Sequence, residues 1–450
     1  MLGGFLTKVF GKFQSKEEVK KYTLLGVTFG VLIATYWALR PLKDGIFQSV
    51  VGADYQPYAK MLSLVVVLGL IMVYGKLVDM FPRHKVFYIL TGCYALGAFL
   101  FYFLLSNPSI GIPNTVESPA RIIGWAWYIF VESAGTLLVP LFWAFSTDAS
   151  TADSAKRGFP LIMLCAQIGN IIGPWLLRAN RLGFSGPTGS APVVAIIGFM
   201  FLAVGLLIWV FMRVTPKSEF HVSEESKEKK PGFFDGLKLL LTKGYLFGIF
   251  LFLLAFEAVA TIIDFYFKVQ VKNAFPTEAA RSGYLAEFAV VTGIVSTLCL
   301  LFGINNIQRK LGMRASLIAT PLLMVMGIVV WRVYPQMSIV FWVLVAFKAI
   351  NYALNQPSIK QLYIPTSKDA RYKAQAWIEV FGSRGSKALG SGINATKLPI
   401  MNAFGAVSGA SIFMTIASVA SFGLLGLWVL VAFYVSAKYN KAVKEDSVVC

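Results

Sequence analysis

Uncharged apolar runs of about 20 residues recur along the chain, and they constrain its fold more than any other feature. A run of that length crosses the hydrocarbon core of a bilayer as an α-helix. A helix satisfies all its backbone polar groups internally, which lipid requires. Outer-membrane barrels are excluded, because their strands alternate in polarity and run for only about 10 residues. The sequence therefore predicts an all-α membrane protein with many spans.

Twelve spans can be delimited by these runs. They are 22–48, 57–78, 86–106, 122–147, 158–178, 191–213, 243–268, 283–305, 316–334, 338–361, 374–397 and 407–437. The apolar run at the first span is longer than one crossing needs, so that helix is expected to tilt or to extend beyond the bilayer.

The longest polar stretch, 214–242, lies between the sixth and seventh spans and predicts a cytoplasmic linker. It divides the chain into an N-terminal six-helix half, 1–213, and a C-terminal six-helix half, 243–450. Two six-helix halves are the plan of the major facilitator superfamily. The predicted fold class is thus an all-α membrane protein of twelve transmembrane helices in two halves, similar to that superfamily.

One loop in each half bears on this plan. The segment from Gly75 to Arg83 resembles the Gly-x-x-x-Asp…Arg loop of the same superfamily. The segment from Arg309 to Arg314 occupies the matching place in the second half. The alternative is that both are simply basic loops on the inner side.

The net charge of +19 does not indicate nucleic acid. With the N-terminus inside, the inner segments contain 24 Lys and Arg and the outer loops contain 4. This asymmetry follows the positive-inside rule and predicts that both termini are cytoplasmic. The two histidines and four cysteines show no metal-binding spacing, and a phosphate-binding Gly-x-x-x-x-Gly-Lys-Ser/Thr loop is absent from the sequence. No metal or cofactor is expected, and an ATP-driven pump is disfavoured.

Ionisable residues inside the spans are functional candidates, because each is costly in lipid unless it is paired or faces water. In a six-plus-six facilitator, helices 1, 4, 7 and 10 line the cavity, and the charges concentrate there and in helix 11. They are Arg40, Lys43, Asp44, Glu132, Glu257, Asp264, Lys268, Lys348, Lys360, Glu379, Arg384 and Lys387. Glu132 is an isolated carboxylate deep in an apolar run, which makes it the best candidate for a proton carrier.

Each of these charges also has a simpler explanation. Lys43 and Asp44 could mark the outer end of the first helix. Asp264 and Lys268, four residues apart, could form a local ion pair, and Glu257 could serve packing alone. The basic groups would attract anions, but the carboxylates nearly balance them. The set therefore fits equally well a series of ion pairs that break and re-form during transport.

Five segments in order carry a family resemblance. They are Leu39–Asp44, Glu132 with Phe142–Phe145, Ala155–Leu161, Asp264–Lys268, and the two adjoining stretches Lys348–Pro365 and Lys373–Lys387. Together they resemble the ATP/ADP translocase family of nucleotide transporters, found in plastids and obligate intracellular bacteria. The resemblance implies a facilitator-like fold. It also places the family's transport residues on Lys43, Glu132, Asp264 and Lys387, and so favours Asp264 over Glu257.

The chain departs from the family pattern at three positions within these segments. Gln356 and Gln361 stand where the family has acidic residues in the tenth span, and Asp264 replaces a Glu. These departures affect the expected substrate rather than the fold.

We therefore expect a secondary active nucleotide transporter, not an enzyme, that exchanges ATP for ADP by alternating access. The expected substrate-binding residues are Lys43, Lys268, Lys348, Arg384 and Lys387. The expected coupling or gating residues are Asp44, Glu132, Asp264 and Glu379. The partners are the nucleotide and the lipid bilayer, with no nucleic acid, and a monomer in a bacterial inner membrane is expected.

Two alternatives stay open. One is a proton-coupled importer of nucleotides or of another anionic metabolite. The other is a receptor or scaffold that has kept a facilitator fold without transport, which the intact charges in the cavity helices disfavour.

Overall fold

The structure is a computed structural model. It describes residues 13, 15–184, 186–215, 235–301, 305–367, 374–378, 382–445 and 447–449. Within these ranges every regular element is helical. The principal helices are α1 Lys16–Val50, α2 Gln56–Met80, α3 Arg83–Ser106, α4 Ile122–Asp148, α5 Ala152–Leu176, α6 Ala191–Val214, α7 Gly244–Ala274, α8 Glu278–Leu301, α9 Asn305–Val333, α10 Met337–Ile350, α11 Ser383–Ala395 and α12 Ala406–Lys444.

Eleven helices in the described part of the chain are long and apolar enough to cross a membrane, namely α1 to α10 and α12. The tenth crossing continues from α10 through a π-helical turn, Asn351–Asn355, to Leu362. These helices match eleven of the predicted spans, so the prediction of an all-helical membrane protein with many spans is confirmed. The predicted span 374–397 contains the short helix Gln375–Trp377 and α11, and residues 379–381 within it lie outside the described ranges.

Helix α1 begins six residues before the predicted span. The hydroxyl of Ser15 accepts a hydrogen bond from the backbone N–H of Glu18 at 3.0 Å and so caps the helix start. The charged residues 16–21 therefore form its first turns, and hydropathy alone does not detect them. The 35-residue helix is about 50 Å long, well beyond the hydrocarbon core. Most of the predicted linker, residues 216–234, is outside the described ranges, and the short helix Asp235–Thr242 ends it.

The chain forms two compact units. The first consists of the described residues within Met1–Ala53, Val65–Glu228 and Phe275–Val290. The second consists of those within Asp54–Leu64, Lys229–Ala274 and Val291–Cys450. The start of α2 thus belongs to the second unit, and the first half of α8 belongs to the first.

The helix pairings inside the two units follow one pattern. In the first unit α1 packs against α4, α5 and α6, and α3 packs against α4 and α6. In the second unit α7 packs against α10, α11 and α12, and α9 packs against α10 and α12. Adding six to each helix number converts the first set of pairings into the second.

Small residues bring the central helices of each unit into backbone contact. A Cβ on Gly169 of α5 would clash with the carbonyl oxygen of Gly30 on α1. In the second unit, a Cβ on Gly390 of α11 would lie 2.6 Å from the carbonyl oxygen of Ala258 on α7. Such contacts are typical of membrane helices, which pack through small residues because lipid gives no hydrophobic drive for their association.

The loop motif identified in the first half has a structural role. Arg83 forms an ion pair of 2.5 Å with Asp148 at the end of α4 and donates a 2.6 Å hydrogen bond to the carbonyl of Ala144. Arg157, in one of the segments that carry the family resemblance, forms a 2.9 Å ion pair with the buried Glu18. Both arginines fix the ends of neighbouring helices in the first unit.

Candidate functional site

A buried ion pair lies in the first unit, where α1 packs against α4. The ammonium nitrogen of Lys43 is 2.5 Å from a carboxylate oxygen of Glu132 and 3.7 Å from one of Asp44. The same ammonium lies 4.4 Å from the centre of the Tyr128 ring. Lys43 and Asp44 are only 4% and 6% exposed, so neither side chain lies on the accessible surface at a helix end. Among the contacts described, one ammonium group here faces two carboxylates.

A second cluster lies in the second unit around one carboxylate, Asp264 of α7. Its oxygens are 2.6 Å from the ammonium of Lys268 on the next turn and 3.3 Å from that of Lys348 on α10. They are also 3.7 Å from the ammonium of Lys60, near the start of α2. We call these four residues the Asp264 cluster. Among the contacts described, three ammonium groups share this one carboxylate.

A third ion pair joins α7 to α11. The ammonium of Lys387 lies 3.7 Å from a carboxylate oxygen of Glu257, and the hydroxyl of Ser383 donates to the same carboxylate at 3.3 Å. Lys387 is the most accessible of the predicted site lysines, with 46% of its side chain exposed. Arg384 is half-buried on α11, one turn before Lys387. The predicted gating residue Glu379 lies outside the described residues.

The sequence left two explanations of these charges open, anion binding and ion pairing. The arrangement contains elements of both. Each of the four predicted substrate-binding lysines contacts a carboxylate: Lys43, Lys268, Lys348 and Lys387. An entering anion must therefore compete with a resident carboxylate for the ammonium groups. This competition favours the anion most at the Asp264 cluster, because three described ammonium groups there contact one carboxylate.

One residue of this arrangement was not predicted, and another was predicted only as the weaker of two candidates. Lys60 falls within the predicted second span, and an ammonium group so placed was a usable signal. Glu257 was ranked below Asp264, yet it is the partner of Lys387. Nothing local in the sequence reports either contact, because both join helices that are far apart along the chain.

Comparison with known families decides the classification. Residues 6–116 and 120–341 match the family model described as the TLC ATP/ADP transporter. The chain belongs to the TLC ATP/ADP transporter family. A relative from Rickettsia conorii, ADP,ATP carrier protein 1, is 26% identical, and the match covers 98% of this chain and 97% of that protein.

Two solved structures share the fold of this TLC family member. A bacterial homologue of the iron transporter ferroportin superposes with a TM-score of 0.65 at 11% identity, covering 93% of this chain and all of the other. A mutant of the nucleoside transporter NupG superposes with a TM-score of 0.62 at 14% identity, covering 94% and 99%. Identities this low show the fold alone. It is a fold of the major facilitator type, and family and fold are those of membrane transporters rather than enzymes.

Proposed function

We propose that this protein is a secondary active transporter that exchanges ATP for ADP across a membrane by alternating access. The observation that carries the proposal is the Asp264 cluster, a mostly buried site where three ammonium groups contact one carboxylate, in a member of the TLC ATP/ADP transporter family. A cationic site in a low-dielectric interior attracts a polyanion strongly. We infer the identity of the nucleotides from the name of the Rickettsia relative, an ADP,ATP carrier.

The phosphates bind by taking ammonium groups from the resident carboxylates. Hydrogen bonds between ammonium groups and phosphate oxygens are charge-assisted and strong. In this mechanism Lys268 and Lys348 turn from Asp264 to the phosphates, and Lys43 turns from Glu132. Arg384 and Lys387 bind from α11. When the nucleotide leaves, Lys43, Lys268 and Lys348 return to their original carboxylates.

The carboxylates Asp44, Glu132, Asp264 and Glu379 serve coupling or gating in this scheme. Each ammonium group released by the substrate needs a partner, because an unpaired buried charge is strongly unfavourable. The ion pair between Lys43 and Glu132 thus stabilises the carrier without substrate, and the substrate replaces it. Occupancy of the site by the substrate is thus linked to ion pairing. In the proposed scheme this linkage couples substrate binding to alternating access.

The proposed architecture has twelve membrane helices in two halves, 1–213 and 243–450, joined by the linker 214–242. The repeated set of helix pairings supports this plan, since it relates α1–α6 to α7–α12. The described residues of the predicted span 374–397 also support it, because 374–378 and 382–395 are helical. We place both termini in the cytoplasm because of the distribution of Lys and Arg. We place the chain, as a monomer, in a bacterial inner membrane because the relative is bacterial.

Reconstituted vesicles test the proposed exchange. Vesicles with purified protein are loaded with ADP or left without nucleotide, and uptake of labelled ATP is then measured. Exchange predicts rapid uptake into ADP-loaded vesicles, little uptake into empty ones, and no loss when a protonophore is added. Equal uptake into both kinds of vesicle, abolished by the protonophore, would instead establish proton-coupled import.

A further inference from the structure

A small polar pocket lies beside the Asp264 cluster, inside the second unit. Its polar walls come from Gln56 and Lys60 at the start of α2, Lys268 on α7, and Ser391 and Asn394 on α11. It has room for about one ordered water, and hence for one oxygen atom of a larger group. None of these residues except Lys268 was a predicted site residue.

Two of the wall residues carry buried oxygen atoms that lack a partner. Ser391 is 0% exposed and Asn394 is 1% exposed. The hydroxyl of Ser391 and the amide oxygen of Asn394 form no hydrogen bond with any described residue. The amide nitrogen of Asn394 donates to the carbonyl of Thr261 at 3.1 Å, which fixes the orientation of the amide. Buried polar atoms nearly always have a partner, so two unpartnered oxygens beside one pocket point to a ligand.

The charge at the pocket is positive. Lys60 and Lys268 both line it, and none of the described lining residues is acidic. Asp264 contacts both ammonium groups, but it is itself shared with Lys348. The pocket therefore offers ammonium and hydroxyl donors, together with one amide oxygen that can accept a hydrogen bond.

The α2 wall is held in place independently of Lys60. Asp54 forms a 2.5 Å ion pair with Lys397, just after α11. The hydroxyl of Tyr58 donates to the carbonyl of Ala395 at 3.1 Å. These contacts fix the start of α2 against the end of α11, so the pocket is expected to persist when the Lys60 side chain is changed.

We propose that this pocket binds an oxygen of the terminal phosphate of the transported nucleotide, and that Lys60 and Ser391 are substrate-binding residues. The inference rests on the proposed function for the identity of the nucleotide. The phosphate oxygen in the pocket accepts hydrogen bonds from Lys60 and Ser391 and, when it is protonated, donates one to the amide oxygen of Asn394. A terminal phosphate with a second pKa near 6 exists partly in that protonated form. A halide ion only accepts hydrogen bonds and would leave the oxygen of Asn394 without a partner.

Equilibrium binding to the purified full-length protein tests the pocket without relying on transport. Labelled ATP is bound to the parent protein and to the variants Lys60→Gln, Ser391→Ala and Lys76→Gln. The last removes an exposed lysine from the same helix and serves as the matched control. Melting temperatures are measured in parallel, and Lys60→Arg, which keeps the charge, is included to recover binding if Lys60→Gln folds poorly.

We expect Lys60→Gln and Ser391→Ala each to weaken ATP binding about tenfold, the loss of roughly one charge-assisted hydrogen bond. AMP binding by these two variants, and ATP binding by Lys76→Gln, should differ from the parent values by less than about twofold. Equal losses for ATP and AMP, or no loss in a folded variant, would overturn the proposal.

The source of the phosphate oxygen is tested by competition. If inorganic phosphate displaces labelled ATP from the parent protein and displaces it less well from Lys60→Gln, the pocket also accepts the free anion. If inorganic phosphate does not compete, the pocket accepts phosphate only as part of a nucleotide. Both results uphold the pocket when the Lys60 effect on ATP is present. Pocket-dependent ATP binding without ATP/ADP exchange would refute the proposed function and leave this inference standing.

Discussion

The ammonium group of Lys43 on α1 lies 2.5 Å from the carboxylate of Glu132 on α4. The corresponding helix pair of the second unit, α7 and α10, carries the same kind of contact with the signs exchanged, Asp264 with Lys348 at 3.3 Å. One repeated packing arrangement thus holds two opposite charge pairs. Among the contacts described, one lysine meets two carboxylates at the first site, and three lysines meet one carboxylate at the second.

Loss of Lys43 should abolish exchange. The substitution Lys43→Ala removes a cation proposed for phosphate binding and leaves Glu132 and Asp44 without it in a mostly buried site, a situation that costs about 3–5 kcal/mol for a buried pair. Uptake of labelled ATP into ADP-loaded vesicles is therefore expected to fall to background, with a lower melting temperature. As a control, Lys441→Ala removes a lysine whose side chain is 70% exposed and should leave uptake unchanged.

The double substitution of Lys43→Glu with Glu132→Lys separates the two roles of this pair. The exchanged pair restores the ion pair but moves the cation to α4. Recovery of the melting temperature without recovery of uptake is expected if Lys43 itself meets the substrate. Full recovery of uptake would show that Lys43 acts through the ion pair alone.

Asp264 should tolerate a longer carboxylate but not a neutral amide. The substitution Asp264→Asn removes the carboxylate that Lys60, Lys268 and Lys348 share. Their repulsion in a low-dielectric site is expected to destabilise the protein and to abolish exchange. Asp264→Glu keeps the charge and should retain measurable exchange and a near-normal melting temperature. Exchange by Asp264→Asn at the parent rate would contradict the proposed role of this carboxylate.

Two glycines on α11 should respond differently to the same substitution. A Cβ at Gly390 would lie 2.6 Å from the carbonyl oxygen of Ala258, whereas one at Gly392 would have no atom within 4 Å among the described contacts. Gly390→Ala is expected to push α11 away from α7 and to cost about 1–3 kcal/mol, as overpacking does. Gly392→Ala should be neutral or slightly stabilising. Melting temperatures of the two variants, compared in one detergent, test the prediction, and equal values would refute it.

Arg121 is predicted to hold the loop between α3 and α4. Its guanidinium donates four hydrogen bonds to backbone carbonyls, those of Ile110, Gly111, Asn114 and Val116, at 2.5–3.0 Å. Burial lowers the pKa of Arg121, but a guanidinium stays protonated at neutral pH. Arg121→Lys should fail to restore the loop, because one ammonium group cannot reach four carbonyls set around a planar fork.

Limited proteolysis of the loop measures this effect. Both Arg121→Ala and Arg121→Lys are expected to increase cleavage between residues 107 and 121, by roughly tenfold for a loss near 1.4 kcal/mol. Arg181→Ala is the matched control, since Arg181 stacks on the Trp175 ring at 3.5 Å in a different loop and should not change cleavage at this one. Protection of the loop in Arg121→Lys would show that charge alone suffices.

The membrane spans were predictable because a helix needs a minimum length of apolar sequence to cross the bilayer. The start of α1 was not, since all but one of the residues Lys16–Lys21 are charged, and they enter the helix through the Ser15 cap. The region of α11 was harder to assign from hydropathy alone, because glycine, serine and charged residues make up most of it. Its place in the fold depends on close packing against α7, which hydropathy does not measure.

The local part of the site was also visible in the sequence. The spacing of four residues between Asp264 and Lys268 allows an ion pair on one helix face, and the structure contains it at 2.6 Å. The contacts of Lys60 with Asp264 and of Lys387 with Glu257 join distant parts of the chain. They depend on which helices pack together, and a single sequence does not encode that pairing in any local pattern.

The shared carboxylate at Asp264 implies a selection rule based on valence. A monovalent anion that replaces this carboxylate exchanges one negative charge for one, and so gains little Coulomb energy against the three lysines. A nucleoside di- or triphosphate brings several charges to the same place and gains much more. The cluster would therefore select a nucleotide over chloride by charge, without any steric barrier. It would also release a nucleotide readily, because the competitor that displaces it is part of the protein.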